Sequence, residues 1–282
     1  MLRRKVLVVL TLLWAGWGGL AHSVEVLEVD IPSHEITLAG SIVLPSHKPA
    51  VAAVVFVHGS GKQRRNLSLA KHFAENAIAA LVYDKRGAGE SGGDYESRQS
   101  VSEKNLRLLA DDAAAALGVL QQHPATQQLP VGLTGISQAG WIVPLAAQQS
   151  PGLSFMVLWS GPVCKVSEED IFSKYTADLD GKTIPSFRQA LKARKQPYRW
   201  PEFLGRDTDP SDSLSTLAIP GLWVFGAQDG SVPVGLSINR LQALIAAGKP
   251  YEYVLYSGEG HNNIPATIAG AIDWIKRKNF RL

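Results

Sequence analysis

The segment Val131-Gly132-Leu133-Thr134-Gly135-Ile136-Ser137-Gln138-Ala139-Gly140 constrains this chain most. It opens as a short, mainly apolar run with the length of a buried strand. It then passes, with no loop between, into a helical pattern over Trp141–Gln149. A chain that goes from strand to helix in so few residues must turn sharply, and Ser137 at the tip is forced out of ordinary backbone geometry. Such a turn needs small residues on both sides, and Gly135 and Ala139 flank the serine. Gly140 is expected to let the helix lie close to the sheet. The turn lifts the hydroxyl clear of the backbone and aims the amide of Gln138 into the same space.

Strands and helices alternate through the rest of the chain. Val24–Ile31 and Glu35–Leu44 read as an early hairpin, and Val51–Val57 as a strand buried on both faces. A helix at Leu67–Asn76 precedes a strand at Ile78–Asp84. Asn105–His123 carries Leu106, Leu108, Leu109, Ala113, Leu117 and Leu120 as a broad apolar helix face. Asp111 and Asp112 of that helix are expected to be solvated. Strands at Phe155–Trp159, Gly221–Phe225 and Tyr251–Tyr256, with helices at Leu236–Ala247 and Ile264–Lys276, complete the pattern. The fold class implied is α/β, a mostly parallel sheet with helices on both faces. From about Pro162 to Leu217 the alternation fails. That stretch is polar, with Lys/Arg clusters and scattered aromatics, and reads as an insertion over the sheet edge. The 282 residues, 45% hydrophobic and 19% charged, suffice for one large domain with a substantial core.

Residues 1–23 read as a signal peptide. Met1–Lys5 is positively charged, Val6–Trp14 is apolar apart from Thr11, and Ala21-His22-Ser23 offers small residues for cleavage after Ser23, with cleavage after Ala21 as the alternative. The expectation is a mature domain over residues 24–282, periplasmic or secreted, with no stable membrane association. Cys164 is the sole cysteine, which excludes a disulfide within the chain. With Arg3, Arg4 and Lys5 set aside, basic and acidic residues balance at 25 each, which speaks against nucleic acid as a partner.

A serine hydroxyl attacks a carbonyl only when a base takes its proton and an acid orients that base. Of the seven histidines, His261 lies in the flexible loop Ser257–Asn263 after the last strand. Asp229 lies in Phe225–Pro233, after the preceding strand. Ser137, Asp229 and His261 thus follow in the order Ser…Asp…His, each at the carboxyl end of a strand, whereas Asp84 comes too early for this order. The developing oxyanion needs two backbone donors. Gln138 supplies one, and the loop His58-Gly59-Ser60-Gly61 after Val51–Val57 offers the amide of Ser60 as the other.

These pieces, with Tyr83-Asp84-Lys85-Arg86-Gly87-Ala88-Gly89-Glu90-Ser91-Gly92, resemble the α/β-hydrolase superfamily, in particular small bacterial serine esterases related to serine aminopeptidases. The resemblance spans about residues 35–275. It implies Ser137 as nucleophile, His261 as base, Asp229 as orienting acid, Ser60 and Gln138 as oxyanion amides, and residues 162–217 as a cap over the site. It also implies that the segment from Gly87 to Gly92 is a structural turn tied down by Asp84 and Arg86. That segment spells a dinucleotide fingerprint, but no helix follows it at once, so no nucleotide cofactor is expected. Nor is a metal expected, since His-x-x-x-His and Cys-x-x-Cys spacings are lacking.

The function expected is an exported serine hydrolase acting on a small-molecule carboxylic ester. The alternatives are a serine aminopeptidase, an acyl-thioesterase, or a non-catalytic binding protein on the same fold. The insertion's aromatics Phe172, Tyr175, Phe187, Tyr198, Trp200 and Phe203 are candidates for an apolar substrate pocket or for anchoring the insertion.

Overall fold

The structure, a computed structural model, describes residues 24–201 and 204–279. The signal-peptide expectation and Phe203 lie outside the described residues. Among those described, β1 (Val24–Ser33), β2 (Ile36–Pro45), β3 (Ala52–Val57), β4 (Ile78–Tyr83), β5 (Val131–Ile136), β6 (Leu153–Trp159), β7 (Gly221–Gly226) and β8 (Tyr251–Tyr256) form one sheet in the order β1-β2-β4-β3-β5-β6-β7-β8. The hairpin β1–β2 and the β2–β4 pairing are antiparallel, and every other pairing is parallel.

Every residue of β3, β4 and β7 is buried, because helices cover both faces of the sheet. That is why these strands read as unbroken apolar runs and not as alternating ones. α1 (Leu67–Glu75) and α8 (Ile264–Asn279) lay Ala70, Phe73, Ile268, Ile272 and Ile275 on one face. α2 (Glu103–Gln122), α3 (Ala139–Gln148) and α7 (Val234–Ala246) cover the other with Leu106, Leu117, Ile142, Val143 and Leu241. The six parallel strands all end on one edge, where loops between strands and helices of opposite layers meet; this edge is where an open α/β sheet offers a crevice.

Residues 162–217, between β6 and β7, hold α4 (Val166–Thr176), α5 (Phe187–Ala193) and α6 (Pro210–Thr216) and no strand among the described residues. The insertion has a small core of its own, with Ile171, Phe172 and Ala190 packed by Ile184, Phe187 and Tyr198. Trp200 leans on the main core and its indole N–H donates to the carbonyl of Gly205, so it anchors the insertion. Arg240 on α7 pins it from below through Glu168 (2.8 Å) and Asp209 (3.5 Å).

Asp112 corrects the expectation of a solvated carboxylate. It is wholly buried, and it accepts from Arg86 Nε (3.0 Å), Arg86 Nη2 (2.6 Å) and Ser33 Oγ (2.6 Å). The reason is long-range. Its helix face turns under the Gly87–Gly92 turn, where a buried guanidinium requires an anion. Asp111, next to it, is partly exposed and bonds His34 and Gln149. No helix among the described residues is long and apolar enough to cross a membrane.

Candidate active site

Ser137 stands between β5 and α3 with φ of +57°, the left-handed region that a side chain enters only under constraint. The constraint comes from packing on both sides. A Cβ on Gly135 would stand 2.5 Å from the Ala139 methyl and 2.7 Å from the carbonyl oxygen of Val57. Only glycine fits there, and only a small residue fits at Ala139. Gly140 behaves differently from expectation. A Cβ there would strike Pro162 at 2.5 Å, so its smallness serves the loop after β6 and not the helix–sheet spacing. The amide of Ser137 donates to Trp159 (2.9 Å), locking the turn to the end of β6.

The loops carrying Asp229 and His261 converge on this edge. Nδ1 of His261 lies 2.9 Å and 3.1 Å from the two Asp229 carboxylate oxygens. Asp229 is buried, and its Oδ1 also accepts from the amides of Ser231 (2.9 Å) and Val232 (2.8 Å), so its orientation is set by its own loop. The backbone of His261 is fixed as well. Ser160 Oγ donates to the carbonyl of His261 (2.8 Å), and Ser160 directly follows Trp159, which holds Ser137. Burial lowers the pKa of His261, but the hydrogen bond and charge of Asp229, with the charges of Asp180 and Glu169, outweigh it and raise the value above that of free imidazole. Among the described residues neither Ser137 Oγ nor His261 Nε2 has a hydrogen-bond partner. Catalytic bonds are often long without a substrate present.

The Gly59–Ser60 turn abuts the serine. A Cβ on Gly59 would lie 3.5 Å from the Ser137 Cβ. The backbone amides of Ser60 and Gln138 have no acceptor among the described residues, while the Ser60 carbonyl takes the Gln63 side chain at 2.6 Å. His58 is no second base. Burial is the first cause that pushes its pKa down to about 4, and its Nε2 bonds the carbonyl of Tyr83. Asp84 serves the turn that follows β4, accepting from the amides of Arg65 (2.8 Å) and Glu90 (2.9 Å). Helix α2 begins only at Glu103, well beyond the Gly87–Gly92 turn.

Two residues that sequence reasoning missed complete the edge. Asp180, just beyond α4, accepts from the amides of Gly230 (2.8 Å) and His261 (2.9 Å), so one carboxylate bridges the Asp229 loop and the His261 loop. Lys85 is buried beneath the Gly59–Ser60 turn and donates to Gly59 O (2.8 Å) and Gln138 Oε1 (2.9 Å). Lys85 stood in the quoted Tyr83–Gly92 segment, one residue beyond Asp84 at the end of an apolar strand, where its place beside the site's edge was open to reading. Asp180 gave no signal, because the insertion carries no periodicity to place it.

A cavity of about 640 Å³ adjoins the serine edge between the starts of α1 and α8. Phe56, Ile136, Leu69 and Ile268 floor it, and His58 and Asn262 bring it against the loops of the site. A second, of about 630 Å³, lies under the insertion, bordered by Phe172, Phe187, Asp229 and Leu255.

A family model described as serine aminopeptidase, S33, matches residues 48–214. Polyketide transferase claH of Penicillium crustosum is 33% identical over 102 residues, which are 36% of this chain; the chain covers only 31% of that relative's length. Among solved structures, the acetyl xylan esterase of Paenibacillus sp. R4 superposes with a TM-score of 0.67 at 18% identity over 93% of this chain and 86% of that one. An esterase of Pyrococcus furiosus gives 0.65 at 16% identity over 94% of both chains. At these identities the structures share the fold.

Proposed function

The chain belongs to the serine aminopeptidase S33 family of α/β hydrolases, and from that premise we propose that it is a serine hydrolase that cleaves carboxylic esters through an acyl-enzyme. The observation that carries this reading is the meeting, on one sheet edge, of a strained Ser137 with the Asp229–His261 pair. Ser137 Oγ attacks the ester carbonyl while Nε2 of His261 takes its proton. Charge develops on the carbonyl oxygen, and the amides of Ser60 and Gln138 receive it. His261 then gives the proton to the leaving alcohol, leaving an acyl-serine. Water then attacks the acyl carbon as His261 takes its proton, and His261 returns that proton to Ser137 Oγ as the acyl–oxygen bond breaks, releasing the carboxylic acid and restoring the serine hydroxyl. Asp229 holds the imidazole in the tautomer that leaves Nε2 free. The insertion acts as a cap, and the cavity beside Ile136 and Asn262 receives one half of the substrate. Export, read from residues 1–23, belongs to the same proposal.

The aminopeptidase alternative needs a carboxylate beside the site to receive a substrate ammonium. Glu168 is engaged by Arg240 and Asp170 by Lys174, but Glu169 on α4 is partly buried and close enough to His261 and Asp229 to interact electrostatically. Burial first, and then Asp178 and Asp170, push its pKa up to about 8. A carboxyl that is mostly protonated at neutral pH is a poor receptor for a substrate ammonium, so esters remain the better reading. A panel of short-chain nitrophenyl esters, aminoacyl anilides and acyl-coenzyme A tests it. Faster turnover of an anilide than of every ester sinks the ester assignment.

A further inference from the structure

Lys85 is a buried cation that the steps above do not use. It is 3% exposed, and among the described residues no carboxylate stands within ion-pair distance. Its ammonium faces Gly59 O and Gln138 Oε1, with the ring of Tyr95 5.9 Å away. The carboxylate of Asp84 beside it is engaged with Arg65 and Glu90, and the neighbouring His58 is neutral. Removing an unpaired ammonium from water costs several kcal/mol. Where a neutral side chain would pack as well, a chain bears that cost only if the charge acts on something.

The partner atoms identify what it acts on. Gly59 O belongs to the same peptide group as the Ser60 amide. In a trans peptide the C=O and N–H point in opposite directions, and the described residues contain no cis bond. A cation that grips the oxygen therefore aims the Ser60 N–H away from itself and withdraws electrons from it. The second bond is to the side chain of Gln138, whose own amide is the other oxyanion donor. That side chain is held at its far end by Ser100 O (2.8 Å).

We propose that Lys85 is a positioning residue for the oxyanion site, orienting and polarising the Gly59–Ser60 peptide and tying it to Gln138. This rests on the serine-hydrolase reading. An interaction needed only when the oxygen becomes negative affects kcat and spares KM. Lys85→Met keeps length and loses charge. It is expected to lower kcat about 10- to 100-fold, less than the loss of a direct donor, with KM little changed. Affinity for a boronic acid, which forms a tetrahedral anionic adduct on the serine, is expected to fall by a similar factor. A purely packing role leaves that affinity in step with KM.

Burial holds the Lys85 pKa down at about 8, so wild-type kcat is expected to decline as pH rises through that value. Lys85→Arg keeps its charge and should lack that decline. This comparison decides the matter if Lys85→Met does not fold. Wild-type kcat and boronate affinity in a folded Lys85→Met protein, or a wild-type profile flat through about pH 8, overturns the inference. If Ser137→Ala retains full turnover, the hydrolase reading itself falls, a separate and recognisable failure.

Discussion

Asp180 makes the strongest claim that the insertion does more than cover the site. Its carboxylate accepts two backbone amides, Gly230 N at 2.8 Å and His261 N at 2.9 Å, from the loops that present the acid and the base. Hydrogen bonds to a charged group contribute about 1.5–3 kcal/mol each when sheltered, and Asp180 is exposed, so the pair is set at about 2 kcal/mol in total. For a chain of this size Asp180→Ala should lower Tm by roughly 4–6 °C. The larger effect is on catalysis. Freed from Asp180, the base loop shifts, and a displacement of about 1 Å at a reacting group can cost about 100-fold. A loss of kcat between about 10- and 100-fold is expected. The pH profile supplies an independent check. The base must be neutral, so activity falls as pH drops through the pKa of His261, which its acidic neighbours raise. Removing the Asp180 charge lowers that pKa and moves the acid limb to lower pH. The linked stability has the opposite window from that of a carboxylate. With a folded pKa raised above the unfolded one, the contribution is complete below the unfolded value and fades as pH rises through the folded one. The assays are a pH-rate profile on a nitrophenyl ester and thermal melts at acidic and neutral pH. An acid limb that stays in place with kcat unchanged refutes the positioning role.

Other substitutions separate chemistry from scaffold. Asp229→Asn should melt like the wild type and lose roughly 10⁴-fold in kcat through the wrong imidazole tautomer, whereas Asp84→Asn should mainly lower Tm; equal catalytic damage without unfolding would make the acid assignment wrong. Gly135→Ala should lose ester turnover with the elbow distorted, at a stability cost of about 1–3 kcal/mol, and full activity would show the turn to be softer than its contacts imply. Arg86→Met leaves Asp112 buried without its cation and should destabilise the fold by about 3–5 kcal/mol in denaturant melts; a shift below about 1 kcal/mol would mean that water reaches the site.

Much of this was legible in the sequence, and for one reason. Strands buried on both faces cannot alternate, so the runs read as Val51–Val57 and Ile78–Asp84 announced themselves by their apolar character. The turn at Ser137 was legible because its steric demand falls on immediate neighbours, and Asp229 and His261 because loops after parallel strands share one edge. What stayed hidden depends on contacts between distant segments. Asp112 sits on α2 like a solvated residue until Arg86 is brought over it. Gly140 answers to Pro162, and Asp180 to loops about fifty and eighty residues further along the chain. No local pattern encodes those meetings.

Covalent labelling tests the central claim most directly. The folded protein is treated with a fluorophosphonate, digested, and the modified peptide located by mass spectrometry, with Ser137→Ala carried alongside. The expected result is one adduct, on Ser137, absent from the variant, together with a loss of ester turnover on the order of 10⁶-fold. An adduct on another serine, or a Ser137→Ala protein that still hydrolyses esters at the wild-type rate, contradicts it.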